Sequence, residues 1–174
     1  MDEDDMVGDG IQYGIVLYVL GMLASKGTGF WLSVAIGGMV NGVLAKLLKR
    51  AVQAPRPVPV KRATTGMPSS HAYLLFFFSS LAKHSSFEDG HWMGLTVASA
   101  AVCLHRVAYQ YHTLEQCVVG ACVGWGMAIA WQASSLHAEL QSRPPFDRVA
   151  LGSVLAGVVL AGLAISKFRT VFTG

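Results

Sequence analysis

Charge is scarce in this chain, and negative charge scarcer still. Asp, Glu, Lys and Arg make up 13% of the 174 residues, against 53% hydrophobic, a balance that points away from soluble globular classes and toward a membrane. Between Asp9 and Glu88 there is no carboxylate, yet Lys26, Lys46, Lys49, Arg50, Arg56, Lys61, Arg62 and Lys83 all fall in that interval. Something anionic should balance them. Snorkelling toward anionic headgroups accounts for most such clusters, so spacing must decide whether a phosphate is the counterpart. Cysteine is limited to Cys103, Cys117 and Cys122; these lie in hydrophobic stretches without metal or redox spacing and read as small apolar residues. Internal repeats and low-complexity tracts are absent, and "APRPVP" is the one Pro-rich stretch. The N-terminal "MDEDDMVGDG" lacks the basic or Arg/Ser-rich character of a leader and reads as an acidic tail of a mature protein.

What is present is a series of hydrophobic stretches: Ile11 to Ala24, Phe30 to Leu48, Ala72 to Leu81, Trp92 to Leu104, Val118 to Ala133 and Val149 to Ile165. A span needs about 20 apolar residues, with roughly 17 as the short limit, so the second, fifth and sixth qualify unaided. The third reaches that length only from Ser69 to Lys83, and the fourth only through Arg106 toward Tyr109, which places polar side chains against other helices. The expectation is an all-α polytopic transmembrane bundle of about six helices. It comprises an acidic tail (1–10), one transmembrane domain (11–168) and a short C-terminal tail (169–174).

Three polar stretches carry the chemistry. In "KRAVQAPRP", Lys49 ends a helix, and Arg56 sits in a loop held extended by Pro55, Pro57 and Pro59. Arg presents a planar fork to phosphate oxygens, and Lys adds a compact charge. In "GMPSSH", Pro68 precedes a helix that Ser69 or Ser70 caps, the N–H groups of its first turn form an anion site, and His71 stands there as an acid or base. In "HRVAYQYHTLEQ", Arg106 is a further clamp and His112 a candidate nucleophile, with Gln116 four residues on to fix its ring. Each motif has a plain structural reading: ordinary capping for the serines, a structural or interfacial site for a lone histidine. Their combination is what counts, because two spans separate the first loop from the third and return the chain to the same face.

Taken together, Lys49 to Pro57, Pro68 to His71 and Arg106 to His112 resemble the type 2 phosphatidic acid phosphatase and vanadium haloperoxidase superfamily. Within it, "GMPSSH" and "YHTLEQ" look most like the dolichyl-diphosphatases and the epsilon-type plastid lipid phosphate phosphatases. Ser70 stands where the wider family usually has Gly, and Gln116 where it usually has Asp. Both choices are shared by this subgroup, whereas His105 replaces a common Ser.

The resemblance implies attack by His112 on phosphorus, a phosphohistidine, and protonation of the leaving oxygen by His71. Lys49, Arg56, Arg106, Ser69 and Ser70, through amides or hydroxyls, would hold the phosphate oxygens. No metal or cofactor is expected, since the cations supply the charge. Glu115, three residues from His112, competes with Gln116 as the orienting group, although a helix-start Glu more often serves the helix dipole.

The function so implied is hydrolysis of a polyprenyl (dolichyl) diphosphate in the bilayer, with phosphatidate phosphatase as an alternative and non-catalytic lipid-phosphate binding as one of another class. No nucleic-acid partner is expected. The implied location is the endoplasmic reticulum or, alternatively, a plastid membrane. The remaining features read as packing: Gly38 with Gly42 and Gly120 with Gly124 as small-x-x-x-small pairs, Asn41 as an interhelical donor or acceptor, and Trp92, Tyr109, Tyr111 and Trp131 as interfacial anchors. His84, His91 and His137 fall in loops of the opposite face and carry no assigned chemistry.

Overall fold

The computed structural model describes residues 14–15, 17–22, 26, 28–57, 65–84 and 91–144. Among them the regular structure is all-helical: α1 (Gly29–Val52), α2 (Ser70–His84), α3 (His91–Ala108), α4 (Leu114–Gln132) and the short α5 (Ser135–Ser142), preceded by helical residues at 17–22. The helix expected at Val149 to Ile165 and both tails lie outside the described residues.

Helices α1 and α4 are long and apolar enough to cross a membrane. Their outer faces stay apolar, with Met39, Val43, Leu47, Val118 and Ile129 exposed, as suits a lipid rather than an aqueous surround. α2 has only 15 residues, about 22 Å at 1.5 Å per residue, less than a bilayer core. It is shielded instead, packing most extensively on α4, then on α3 and α1. Ala72, Tyr73 and Phe77 are fully buried, and Phe77 joins Val19, Trp31, Val34, Leu81 and Ala128 in the hydrophobic core.

Polar side chains on these helices are spent on neighbours. Tyr73 donates to Asn41 Oδ1 at 2.7 Å, joining α2 to α1, and the Ser79 and Ser99 hydroxyls lie 3.1 Å apart between α2 and α3. Such bonds contribute about 0.6 kcal/mol each on average in a bilayer.

Glycines set how closely the helices approach. A Cβ at Gly124 would strike the backbone carbonyl of Tyr73, and one at Gly120 would lie 2.8 Å from Ser69 O, so α4 lies directly against the first turns of α2. On α1 the close contacts are Gly37 with Trp131 and Gly38 with Phe78, whereas Gly42 faces open space. The working small-residue pair there is therefore Gly37–Gly38 rather than Gly38–Gly42. Because a backbone carbonyl cannot swing aside as a side chain can, Gly124→Ala should lower thermal stability by an amount typical of overpacking, about 1–3 kcal/mol. Gly42→Ala should not. Comparing the melting temperatures of the two variants in detergent checks this.

The α5 helix has no counterpart among the hydrophobic stretches, because it is amphipathic and only eight residues long. It places His137 on a helix rather than in a loop. There His137 Nδ1 meets Ser33 Oγ at 2.6 Å, and Ser33 Oγ accepts from Trp131 Nε1 at 3.2 Å. This buried cluster ties α5 and the end of α4 to the start of α1, and it gives Trp131, expected as an interfacial anchor, an internal hydrogen bond.

Candidate active site

The phosphate-motif residues converge where α1 and α3 end and α2 and α4 begin. α1 runs on past Leu48 to Val52, which puts Lys49 in its last turn, where cations favour the helix dipole. Gln53 then takes a left-handed conformation (φ 47°) and donates its N–H to Lys49 O. The loop after it is closed by two bonds: Thr65 Oγ1 donates to Lys49 O at 3.1 Å, and Gly66 N donates to Ala54 O at 2.8 Å. Arg56 is thereby aimed inward, and its Nη1 donates to Tyr111 O at 3.2 Å.

At the start of α2, Ser69 behaves as the cap residue: its carbonyl accepts from Tyr73 N at 2.9 Å. Its own N–H donates to Gln116 O at 3.1 Å, so the Ser69 amide is committed to α4, and its hydroxyl is buried beside it. Ser70 opens the helix, half-buried, and His71 follows it in the first turn, 8% exposed. The "PSSH" and "YHTLEQ" stretches are therefore joined by a direct backbone bond.

The third stretch folds back on itself. Gln110 adopts φ 58°, reversing the chain, and both Tyr111 N and His112 N donate to Arg106 O, at 2.9 and 3.3 Å. Arg106 and His112 are each 2% exposed. The guanidinium of Arg106 lies 5.2 Å from the centroid of the Tyr111 ring, within cation–π range. Tyr111 is buried at 7% exposure, so it belongs to the site and not to the interfacial anchors. His105 stacks on Tyr109 with centroids 4.4 Å apart.

His112 lies two residues ahead of α4, with Thr113 as N-cap, so its pairing with Gln116 is a capping geometry and not an i,i+4 contact on a helix face. Thr113 Oγ1 accepts from Gln116 N at 3.2 Å, and Gln116 Oε1 accepts from Thr113 N at 3.3 Å. The same Oε1 lies 3.0 Å from His112 Nδ1, and Gln116 Nε2 donates to Pro55 O at 2.8 Å. Two backbone groups thus fix which end of the amide is oxygen. His112 must donate from Nδ1–H, leaving a lone pair on Nε2. A carboxylate at position 116 would serve the imidazole but could not donate to Pro55 O. Gly66 completes the corner, since a Cβ there would fall 2.5 Å from Gln116 Nε2. Glu115 is exposed, and the bond to His112 is made by Gln116.

Burial is the largest influence pushing the His112 imidazole down, to about 3; the bond to Gln116 opposes it, and the nearby charges of Arg56, Arg106 and Lys49 add to it. Burial and the Arg106 charge likewise pull Arg56 down from its ordinary value. His112 therefore stays neutral through the physiological range and keeps the lone pair on Nε2. Its folded-state pKa lies below its unfolded one, so the unfolded chain binds the extra proton between about pH 6.5 and 3, and stability must fall as pH drops through that window. His112→Asn should flatten the acid limb of a plot of melting temperature against pH, measured without phosphate.

Tyr111, Thr113, Gly66 and the Pro55 carbonyl are the site groups that sequence reasoning missed. Only the capping box was open to detection, since Thr113-x-x-Gln116 is its signature.

No family model matches the chain, and no solved structure matches it. Among curated proteins it is 35% identical over 121 residues to "Lipid phosphate phosphatase epsilon 2, chloroplastic" of Arabidopsis thaliana, covering 63% of this chain and 41% of that protein. It is 32% identical over 136 residues to "Dolichyldiphosphatase 1" of Homo sapiens (66% and 56%), and 30% identical over 109 residues to "Dolichyldiphosphatase" of Saccharomyces cerevisiae (52% and 46%). The chain spans about half the length of the curated relatives it matches. The chain is thus similar over part of its length to epsilon lipid phosphate phosphatases and to dolichyldiphosphatases, the subgroup that its motifs resemble.

Proposed function

We propose that the chain is an integral-membrane lipid phosphatase that hydrolyses a polyprenyl diphosphate, of the dolichyl type, to the monophosphate and inorganic phosphate. The observation that carries this reading is a neutral His112, held by Gln116 through Nδ1 and surrounded by the charges of Lys49, Arg56 and Arg106. Three cations suit the charge of a diphosphate, and a nucleophile with its lone pair presented beside them suits transfer of a phosphoryl group.

In this mechanism Nε2 of His112 attacks the terminal phosphorus as the bridging P–O bond breaks, and His71 donates a proton to the departing oxygen. Water then attacks the phosphohistidine, giving its proton to His71, and the P–N bond breaks to release phosphate and restore neutral His112. Lys49, Arg56, Arg106, the Ser69 hydroxyl and Ser70 hold the equatorial oxygens, where charge stabilisation is the main source of rate. The isoprenoid stays in lipid while the headgroup occupies the cationic cup. The location proposed with this activity is the endoplasmic reticulum; the second reading is a plastid membrane, which the two chloroplastic relatives support, with phosphatidate as the substrate.

The test is phosphate release by the detergent-purified chain from polyprenyl diphosphate and from phosphatidate, each in the presence of chelator. Turnover of the diphosphate, unaffected by chelator, is the expected result. Preference for phosphatidate would move the substrate assignment to the second reading, and failure on every lipid phosphate would remove the enzymatic one.

A further inference from the structure

The cup has a problem that its three cations create. Lys49, Arg56 and Arg106 repel one another, and long side chains so placed would splay apart before any anion arrives. Pre-organised charge stabilises a transition state because no reorganisation is needed at the moment of reaction, so contacts within the protein that fix the guanidinium groups before the anion arrives contribute to catalysis. Tyr111 touches both arginines. The Tyr111 ring lies 5.2 Å from Arg106 Cζ, and the Tyr111 carbonyl accepts from Arg56 Nη1 at 3.2 Å. Its N–H is anchored on Arg106 O at 2.9 Å, immediately after the reversal at Gln110. Burial of the ring at 7% exposure strengthens a cation–π contact relative to an exposed one.

We infer that Tyr111 is a positioning residue for the phosphate cup: its ring under Arg106 and its carbonyl against Arg56 set the two guanidinium groups at one spacing before the anion binds. This rests on the reading of the cup as a phosphate site. The carbonyl contribution survives any side-chain change, so the ring is the part that substitution can test. Phosphoryl transfer itself involves no atom of Tyr111.

The experiment measures the affinity of the full chain for inorganic phosphate, from the thermal shift it induces and from competitive inhibition of lipid turnover. Tyr111→Phe keeps the ring and should bind phosphate as the parent does. Tyr111→Met, apolar and flexible but smaller and without a π face, should weaken phosphate binding and raise KM by about 3- to 30-fold, with a smaller change in kcat. Mono-, di- and trifluorinated phenylalanines at position 111 keep the shape while draining the ring face, and should weaken phosphate binding stepwise. A purely structural ring would give a flat fluorine series. That flat series, parent-like affinity in Tyr111→Met, an equal loss in Tyr111→Phe, or a parent that binds no phosphate would each overturn the inference. If Tyr111→Met does not fold, the fluorinated series alone decides. Should the parent turn over no lipid while the stepwise phosphate series holds, the proposed activity fails and the role of Tyr111 stands.

Discussion

His112→Asn should lower turnover of the lipid diphosphate by about a thousandfold or more, the scale seen when an enzyme loses its nucleophile. Asn is compact, polar and able to donate toward Gln116, so the turn at Thr113 should survive, while no side-chain atom replaces the Nε2 lone pair. Inorganic phosphate should still bind, because Lys49, Arg56 and Arg106 are untouched. Rapid acid-free quenching of the parent with substrate labelled in its terminal phosphate should trap label on the protein as an acid-labile, base-stable adduct, and the variant should trap none. Turnover within tenfold of the parent would place the nucleophile elsewhere. Loss of turnover together with phosphate binding would mean that the substitution had collapsed the cup.

Arg106→Gln should cost about a hundred- to a thousandfold in kcat/KM, as expected for a charged donor aimed at developing negative charge. The effect should exceed that of removing an exposed arginine because Arg106 is almost wholly buried, and charges act more strongly where water is excluded. There is also an internal control. Arg106 is one of the charges that press His112 downward, so its removal should raise the His112 pKa, which a titration of the imidazole resonance would read directly. A drop in kcat/KM with no upward movement of that pKa would show that Arg106 acts at a distance from His112, contrary to the geometry. If the apparent pKa rises and activity survives, the remaining two cations suffice for the phosphate.

How much of this was visible in the linear chain depends on the kind of information each feature carries. The hydrophobic stretches announced α1, α2, α3 and α4, because burial and lipid exposure are written into composition over a helix length. They missed α5, which is too short and too polar to stand out, and they started α4 four residues late, since the capping turn at Thr113 belongs to polar residues. The expected contact of Gln116 with His112 is present as a hydrogen bond, but across an N-cap and not along an i,i+4 helix face. Tyr111 was taken for an interfacial anchor because its burial depends on Gln110 reversing the chain, and a positive φ at a glutamine has no sequence signal of its own.

Sequence alone determined which polar groups are at hand: cations in a stretch without acids, His71 and His112, and a pair of serines, grouped in three polar stretches between apolar ones. Such facts follow from residue type and counting. Only the tertiary structure decided how these groups are paired. It committed the Ser69 amide to Gln116, turned the Gln116 amide by fastening it to Pro55, and so selected the His112 nitrogen that carries the lone pair. These are choices among hydrogen-bond partners far apart in the chain, Ser69 with Gln116 and Gln116 with Pro55, whose outcome depends on distances of a few tenths of an ångström, and no local pattern in the chain encodes distances of that kind.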